Sequence, residues 1–553
     1  MNVRLAHLPV DILGLAPLAR AALAQGPTFA PIPVARKLAD IPRPVERHAA
    51  GERAVLAGHL RSALDAVFGA ALPPRAATSL NLLQQEGTFA VVTGQQPGFL
   101  ASPLYSLYKA LQACRLATEL SRAWGAPVVP VFWNHADDHD VAEVHHAWQL
   151  NRNNDLQKIA LPGMGSGKTP IGELPLSAEA HRLPALHAQL RQVFEEHAHV
   201  DWALELCLPR DGETLARALT RSFTELLGAH GLVVVEPAWI RPLLSSELGH
   251  IVARGVAAPL ALGEAALTSA GLPVAIPSAT AALVFRHDAA RGRLALRVGG
   301  EGFRYDGESG SRTDAELAAE VVQAPEDWSA GALLRPVVQD AVFPTCAYIG
   351  GMGELAYHAQ LGPLRDASLI PRVPFVPRVS CTLVDDETRF ALERCELDVA
   401  AALRAKGAFA PEGEASSGPS VIEELRASAA EAAKLVLRHR AGLAELEPAL
   451  AIGLKKAAEQ IQNSVEKVAE KAERVHKNRA GKGERHVRRV NSALGPRGEP
   501  QERVLGPFQF LARFGDAFVE ALWEELPPFA TEHLVVHLDD EPDAAQPDGA
   551  PTP

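Results

Sequence analysis

Cysteine is scarce in this chain, and none of it is paired. Cys114, Cys207, Cys346, Cys381 and Cys395 are scattered without a CxxC spacing, which gives no disulfide framework and excludes a zinc-finger arrangement. A reducing, cytoplasmic setting is the natural expectation, and no zinc is expected. Basic charge is not in excess either. With 54 Lys and Arg against 66 Asp and Glu, the net charge is −12, so no nucleic-acid partner is expected. Long membrane-compatible runs are missing: Ala265 to Phe285 carries no charge, but Gly271, Pro273 and Pro277 interrupt it, so neither a spanning helix nor a membrane partner is expected. The N-terminal stretch Met1 to Gly26 ends in Ala-Leu-Ala, yet Asp11 and Arg20 break any secretory core.

What is present points to an α/β core. Phe89 to Thr93 is a short apolar run suited to a buried strand; Gly94 and Gly98 allow a tight turn, and Ser102-Pro103 suits a helix start. Leu104, Leu107, Leu111 and Cys114 then recur at helical spacing. Backbone N–H groups at such a junction favour anions. The next apolar run, Val128 to Trp133, leads through Asn134 into His135-Ala-Asp-Asp-His-Asp140. In an open parallel sheet, ligands gather outside the carboxyl ends of strands. Gln96, Lys109 and His139 are therefore predicted to converge in one crevice.

Each group has a bland alternative. The Gly94-Gln95-Gln96 segment can be only a tight turn, Lys109 can snorkel, and the acids can be a helix N-terminus favoured by the macrodipole. Close carboxylates can instead share a proton for acid–base work or together bind Mg²⁺. His135 and His139, four residues apart, with His145 and His146 beyond, leave a metal-dependent hydrolase open. A non-catalytic, dimeric nucleotide-binding scaffold is the other alternative.

Four ordered segments carry a family resemblance: Gly94-Gln95-Gln96 with Pro103-Leu104-Tyr105 and Lys109; Pro130-Val-Phe-Trp133 with Asp137 to Asp140; Leu334 to Asp340 with Ala347 to Tyr357; and Gln501-Glu502-Arg503. Together they resemble the bacillithiol biosynthesis cysteine-adding enzyme family, BshC. The resemblance departs at Met352, His358 and His135, where the family usually carries Pro, Trp and a small apolar residue. It implies a Rossmann-like parallel-sheet core with inserted connecting regions, followed by an α-helical coiled coil. It also implies a ligase that joins the carboxyl of cysteine to the amine of glucosaminyl malate, with ATP or another nucleotide as cofactor, alongside Mg where the close carboxylates hold it. The catalytic candidates are Asp137, Asp138, His139, Asp140 and Lys109. The substrate- or nucleotide-binding candidates are Thr93, Gly94, Gln95, Gln96, Gly98, Ser102, Tyr105, Glu143, Arg335, Gly350, Gly351, Glu354, Tyr357 and Arg378.

The expected organisation is a core over 1–395, a helical coiled coil over 396–530 and a tail over 531–553, largely disordered after 538. Residues 1–85 read as mainly helical, with insertions at about 150–230 and 240–330. Ala281 to His287, Arg293 to Val298 and Gly302 to Tyr305 read as short antiparallel strands. From Leu425 to Leu446 and from Leu454 to Val475, apolar residues alternate by four and three, a heptad seam in two pieces around Pro448. Its apolar stripe predicts a homodimer. Pro507 to Leu526 reads as one further helix packed on that hairpin or on the core. The basic run Arg474 to Arg489 reads as a solvated linker that could also hold phosphate.

Overall fold

In the computed structural model, residues 2–539 are described except for 152, 166, 289, 300–301, 306–309 and 411–416. Residues 540–553 of the tail expected to be disordered lie outside the described residues. The chain divides into a larger unit, Met1–Arg152, Leu156–Asp386 and Glu499–Pro553, and a smaller one, Asn153–Asp155 and Glu387–Gly498.

The larger unit is built on a five-stranded sheet in the order Phe375–Pro377, Thr345–Gly350, Phe89–Gln95, Val128–Asn134, Val233–Val235. All neighbouring pairs are parallel. Such strands are covered on both faces, which is why they read as continuous apolar runs. Phe89, Val91 and Ile349 pack on one side against Leu116 and Leu120 of the Leu104–Trp124 helix. Val92, Val131, Trp133 and Tyr348 face a second, larger core. The chain runs outward from Phe89–Gln95 in one direction, then returns to build the other half beginning with Thr345–Gly350. The order reverses between those two strands, and that is where an open α/β sheet presents its crevice.

The insertion forms a four-stranded antiparallel sheet: Trp328–Ala330, Ala282–Asp288, Gly292–Gly299 and Gly302–Tyr305. Trp328–Ala330 was not anticipated. Nor was the hairpin His146–Leu150 with Leu156–Ala160. The helical expectation for 1–85 misses Asn2–Pro9, which pairs antiparallel with Glu532–Asp539. Glu532–Asp539 also pairs with Ser380–Asp385. A strand whose partner comes from the far end of the sequence leaves no local turn signal to find it by. The stretch expected as one helix over Pro507 to Leu526 is two helices, Phe508–Phe514 and Ala517–Glu525, broken at Gly515 with φ +66°. Both belong to the larger unit.

In the smaller unit, Ser417–Leu437 and Arg440–Leu446 precede the 47-residue helix Pro448–Leu494. Pro448 starts the long helix, where its missing N–H costs nothing. The basic run Arg474 to Arg489, expected as a solvated linker, lies within this helix instead. Arg426 pairs with Glu466 at 2.8 Å, and Phe409 meets Asn491 at 3.0 Å. Partner numbers rise as the first number falls, so the two long helices run antiparallel.

Candidate active site

Three groups hold the switch-point crevice together. Lys109, only 1% exposed, donates to Gly94 O at 2.9 Å and to Gln95 Oε1 at 3.1 Å, and forms an ion pair with Glu354. Glu354 also accepts from the Tyr348 hydroxyl at 2.7 Å and from Gly351 N–H at 2.8 Å, at the start of the Met352–His358 helix. One lysine thus ties a helix to both halves of the sheet. Burial alone would raise the Glu354 pKa, but Lys109, Gly351 and Tyr348 together hold it below the usual carboxylate value. Burial lowers Lys109 more than Glu354 restores it. Lys109 and Glu354 thus meet each other and the surrounding turn and strand groups.

Gln96 reaches the next strand end, donating to Asp138 Oδ2 at 2.5 Å and to Glu143 Oε2 at 2.7 Å. Gln95 Nε2 donates to the Tyr105 hydroxyl at 3.1 Å. Arg378 donates to Glu502 at 2.7 Å, with its guanidinium 5.0 Å from the centre of the Tyr105 ring. Gln95, Gln96, Tyr105, Asp138 and Arg378 line a cleft of about 300 Å³ together with His135, Gly351, Tyr357 and Arg503. Across His135, Asp138 and Tyr357 lies a second chamber of about 360 Å³, walled by Trp133, Leu244, Phe285 and Trp328. On the other side, Gln95, Gln96, Gly98, Ser102, Tyr105, Glu143, His146 and Arg503 bound a polar groove of about 260 Å³.

The acidic segment divides by residue. Asp138 faces Gln96, whereas Asp137 points the other way and makes a two-pronged ion pair with Arg241. Burial raises Asp137, and the Arg241 charge and hydrogen bonds more than offset it, so its pKa falls below the ordinary value. Asp140 accepts from Ala142 N at 3.1 Å and caps the short helix Val141–Val144. The predicted convergence therefore holds for Gln96 and Lys109 but not for His139, whose ring lies edge-on to Phe285 in the chamber. The segment turns at Ala136–Asp137 instead of running extended, and of Asp137, Asp138 and His139, Asp138 is the one that also lines the cleft. Burial and the nearby Arg293 charge keep His139 below the ordinary imidazole value.

Other candidates serve the scaffold. Thr93, fully buried, donates to Ile349 O at 2.9 Å across the switch point. A Cβ on Gly350 would come within 2.6 Å of the Phe375 ring. Arg335 donates to Gln339 Oε1 and to the Tyr357 hydroxyl at 3.1 and 3.0 Å. Ser102 is not the helix cap: Pro103 takes that position, and Ser102 Oγ is buried beside the polar groove without a partner. Among the described residues, no group of three or more His, Cys, Asp or Glu is placed to hold a metal ion. His145 Nδ1 lies 2.9 Å from Val141 O rather than facing a shared metal. Sequence reasoning missed Arg241 and Arg293. Tyr348, Glu502 and Arg503 were quoted within motifs but given no role.

A switch-point crevice on a parallel sheet with an antiparallel insertion, together with a separate helical hairpin unit, defines a Rossmann-like protein with a coiled-coil domain. Residues 37–379 match the Bacillithiol biosynthesis BshC N-terminal Rossmann-like domain, and residues 381–538 match the C-terminal coiled-coil domain of the same family. The chain belongs to the BshC family of bacillithiol biosynthesis. It is 31% identical to a protein of Koribacter versatilis (strain Ellin345) over 84% of this chain and 86% of that one. It is 30% identical to a protein of Geobacillus thermodenitrificans (strain NG80-2) over 84% and 87%. Both relatives bear the name "Putative cysteine ligase BshC". Among the described residues, no single helix is long and apolar enough to cross a membrane.

Proposed function

We propose that the chain is a ligase that forms an amide between the carboxyl of L-cysteine and the amine of glucosaminyl malate. The relatives' name supports the reaction class. The observation that carries the site is the convergence of Gln96 with Asp138 beside the Lys109–Glu354 pair at the switch point. In this reading the amine nitrogen attacks the activated carboxyl carbon, the leaving group departs from that carbon, and Asp138 takes the proton that the nitrogen loses. Gln96 orients Asp138. Lys109 and Glu354 fix the distance between the two strand ends.

The polar groove suits a nucleotide's phosphates: Ser102 Oγ is a buried, unpartnered donor, and the exposed Arg503 lines the same space. Gln95, Gln96, Ser102 and Arg503 would hold such a group, whose chemistry is to turn the carboxyl oxygen into a leaving group.

Incubating the purified chain with cysteine and glucosaminyl malate, with and without ATP, and following the amide product by mass spectrometry tests the reading. Product should form, and Asp138→Asn should slow it on the order of a hundredfold or more while the fold is retained. No product under any condition, or an Asp138→Asn chain as fast as the wild type, overturns it.

A further inference from the structure

Among the described residues, buried arginines are paired with carboxylates, with one exception. Arg53 meets Glu46, Arg221 meets Glu213, Arg241 meets Asp137, Arg365 meets Asp340 and Arg489 meets Glu387. This is the usual arrangement, because a guanidinium taken from water without a counter-charge is costly. Arg293 is 7% exposed and has no such partner among the described residues. It stands on the Gly292–Gly299 strand of the insertion, 3.7 Å from the centre of the Phe285 ring, and makes only long donations of 3.3 Å to Ser329 Oγ and Ala330 O. Its guanidinium borders the 360 Å³ chamber.

The same chamber gathers other nitrogen groups. Arg335 lines it and donates to the neutral Gln339, Tyr357 and Tyr348 but to no carboxylate among the described residues. His135 Nε2 and His139 Nδ1 are buried and make no hydrogen bond, His139 Nδ1 lying 3.8 Å from Asp138 Oδ1, and both residues line the space. With Asp137 neutralised by Arg241, Asp138 is the one carboxylate left on the wall against Arg293 and Arg335. The apolar remainder, including Trp133, Phe285 and Trp328, strengthens any charge pairing inside.

We propose that this chamber is a carboxylate-binding compartment, with Arg293 as its anchoring fork and Arg335 as the second cation, adjoining the cleft across Asp138. A planar guanidinium already held flat against a ring presents paired N–H groups to a carboxylate at little entropic cost. Resting on the substrate reading above, the carboxylate comes either from the malate portion of the sugar substrate or from cysteine.

Isothermal titration of wild type and Arg293→Gln with glucosaminyl malate, with its carboxylate-free O-methyl glucosaminide and with cysteine separates these sources. A roughly ten- to hundredfold loss of affinity is expected for one carboxylate ligand. Loss for the malate compound alone assigns the chamber to malate, and loss for cysteine alone assigns it to the amino acid. Equal loss for the carboxylate-free sugar, or no loss for any ligand, overturns the proposal. L-Malate titrated alone into both proteins keeps the two readings apart. A chain that binds malate through Arg293 but neither substrate sinks the ligase reading and retains the chamber. If neither malate nor cysteine binding depends on Arg293, the chamber is sunk. Should Arg293→Gln fail to fold, crystals of the unaltered chain soaked separately in malate and in cysteine decide: the proposal requires a carboxylate of one of them within hydrogen-bond distance of Arg293, and a chamber empty in both refutes it.

Discussion

Asp137 and Asp138 are neighbours with opposite work. Asp137 is held by Arg241, which is 4% exposed, so its replacement strands a buried cation. Asp137→Asn should cost about 3–5 kcal/mol of stability, read as a lower denaturant midpoint at unchanged slope. Asp138→Asn should leave that midpoint nearly in place and act on turnover. A second residue-scale effect concerns His358, which is 2% exposed, has no partner at Nε2 and stacks on Tyr348 at 4.6 Å. Burial, then the charges of Arg335, Arg365 and Lys109, push its pKa well below the ordinary value. The unfolded chain therefore binds this proton and the folded chain does not. The associated stability is complete above roughly pH 6.5 and is lost as the pH falls below it. His358→Phe keeps the stacked ring and removes the titration, so the fall in melting temperature between pH 7 and 5 should be shallower than in the wild type. An unchanged slope would assign the acid sensitivity elsewhere.

At the scale of elements, the turn between Phe89–Gln95 and Leu104–Trp124 is packed to contact. A Cβ on Gly98 would lie 1.9 Å from the backbone oxygen of Ser102. Gly98→Ala must therefore open the turn, and Gln96 moves with it. A displacement of about 1 Å in a positioning group lowers turnover on the order of a hundredfold, so the variant should lose most product formation in the mass-spectrometric assay; near wild-type turnover would show that the turn does not position chemistry. The strand, turn and helix that carry this site were legible in the sequence because their apolar period and glycine spacing are local. The antiparallel insertion was legible for the same reason. The roles within the site were not. Asp137 looks like its neighbours until Arg241, 104 residues later, arrives beside it. Lys109 meets Glu354 across 245 residues, and that contact needs the Thr345–Gly350 strand docked beside Phe89–Gln95. Side-chain direction in an irregular loop has no period, so His139 could not be assigned to the chamber from sequence.

At the scale of the molecule, the helical hairpin leaves a question of coverage. Within the chain its seam buries mostly small residues: Ala429, Ala433, Ala458 and Ala469, with Ile422. Larger apolar side chains stay outside, with Leu435 48%, Leu446 78%, Leu450 45% and Val468 57% exposed. In the Pro507 to Leu526 segment, which belongs to the larger unit, Phe508 packs edge-on to Phe194 at 5.3 Å and Phe510 stacks on Phe518 at 5.4 Å. An apolar stripe of this kind on a long antiparallel hairpin is self-complementary under a two-fold axis. Covering each such side chain is worth about 1.5–3 kcal/mol at most, so several per copy offset the cost of association. We propose that the chain forms a homodimer through this surface. Because Leu435 and Val468 are exposed within one copy, Leu435→Glu with Val468→Glu should leave the hairpin helical by circular dichroism while halving the mass seen by light scattering. A wild-type chain that already scatters as a monomer at micromolar concentration would show instead that the stripe is tolerated in water, and the dimer would be abandoned.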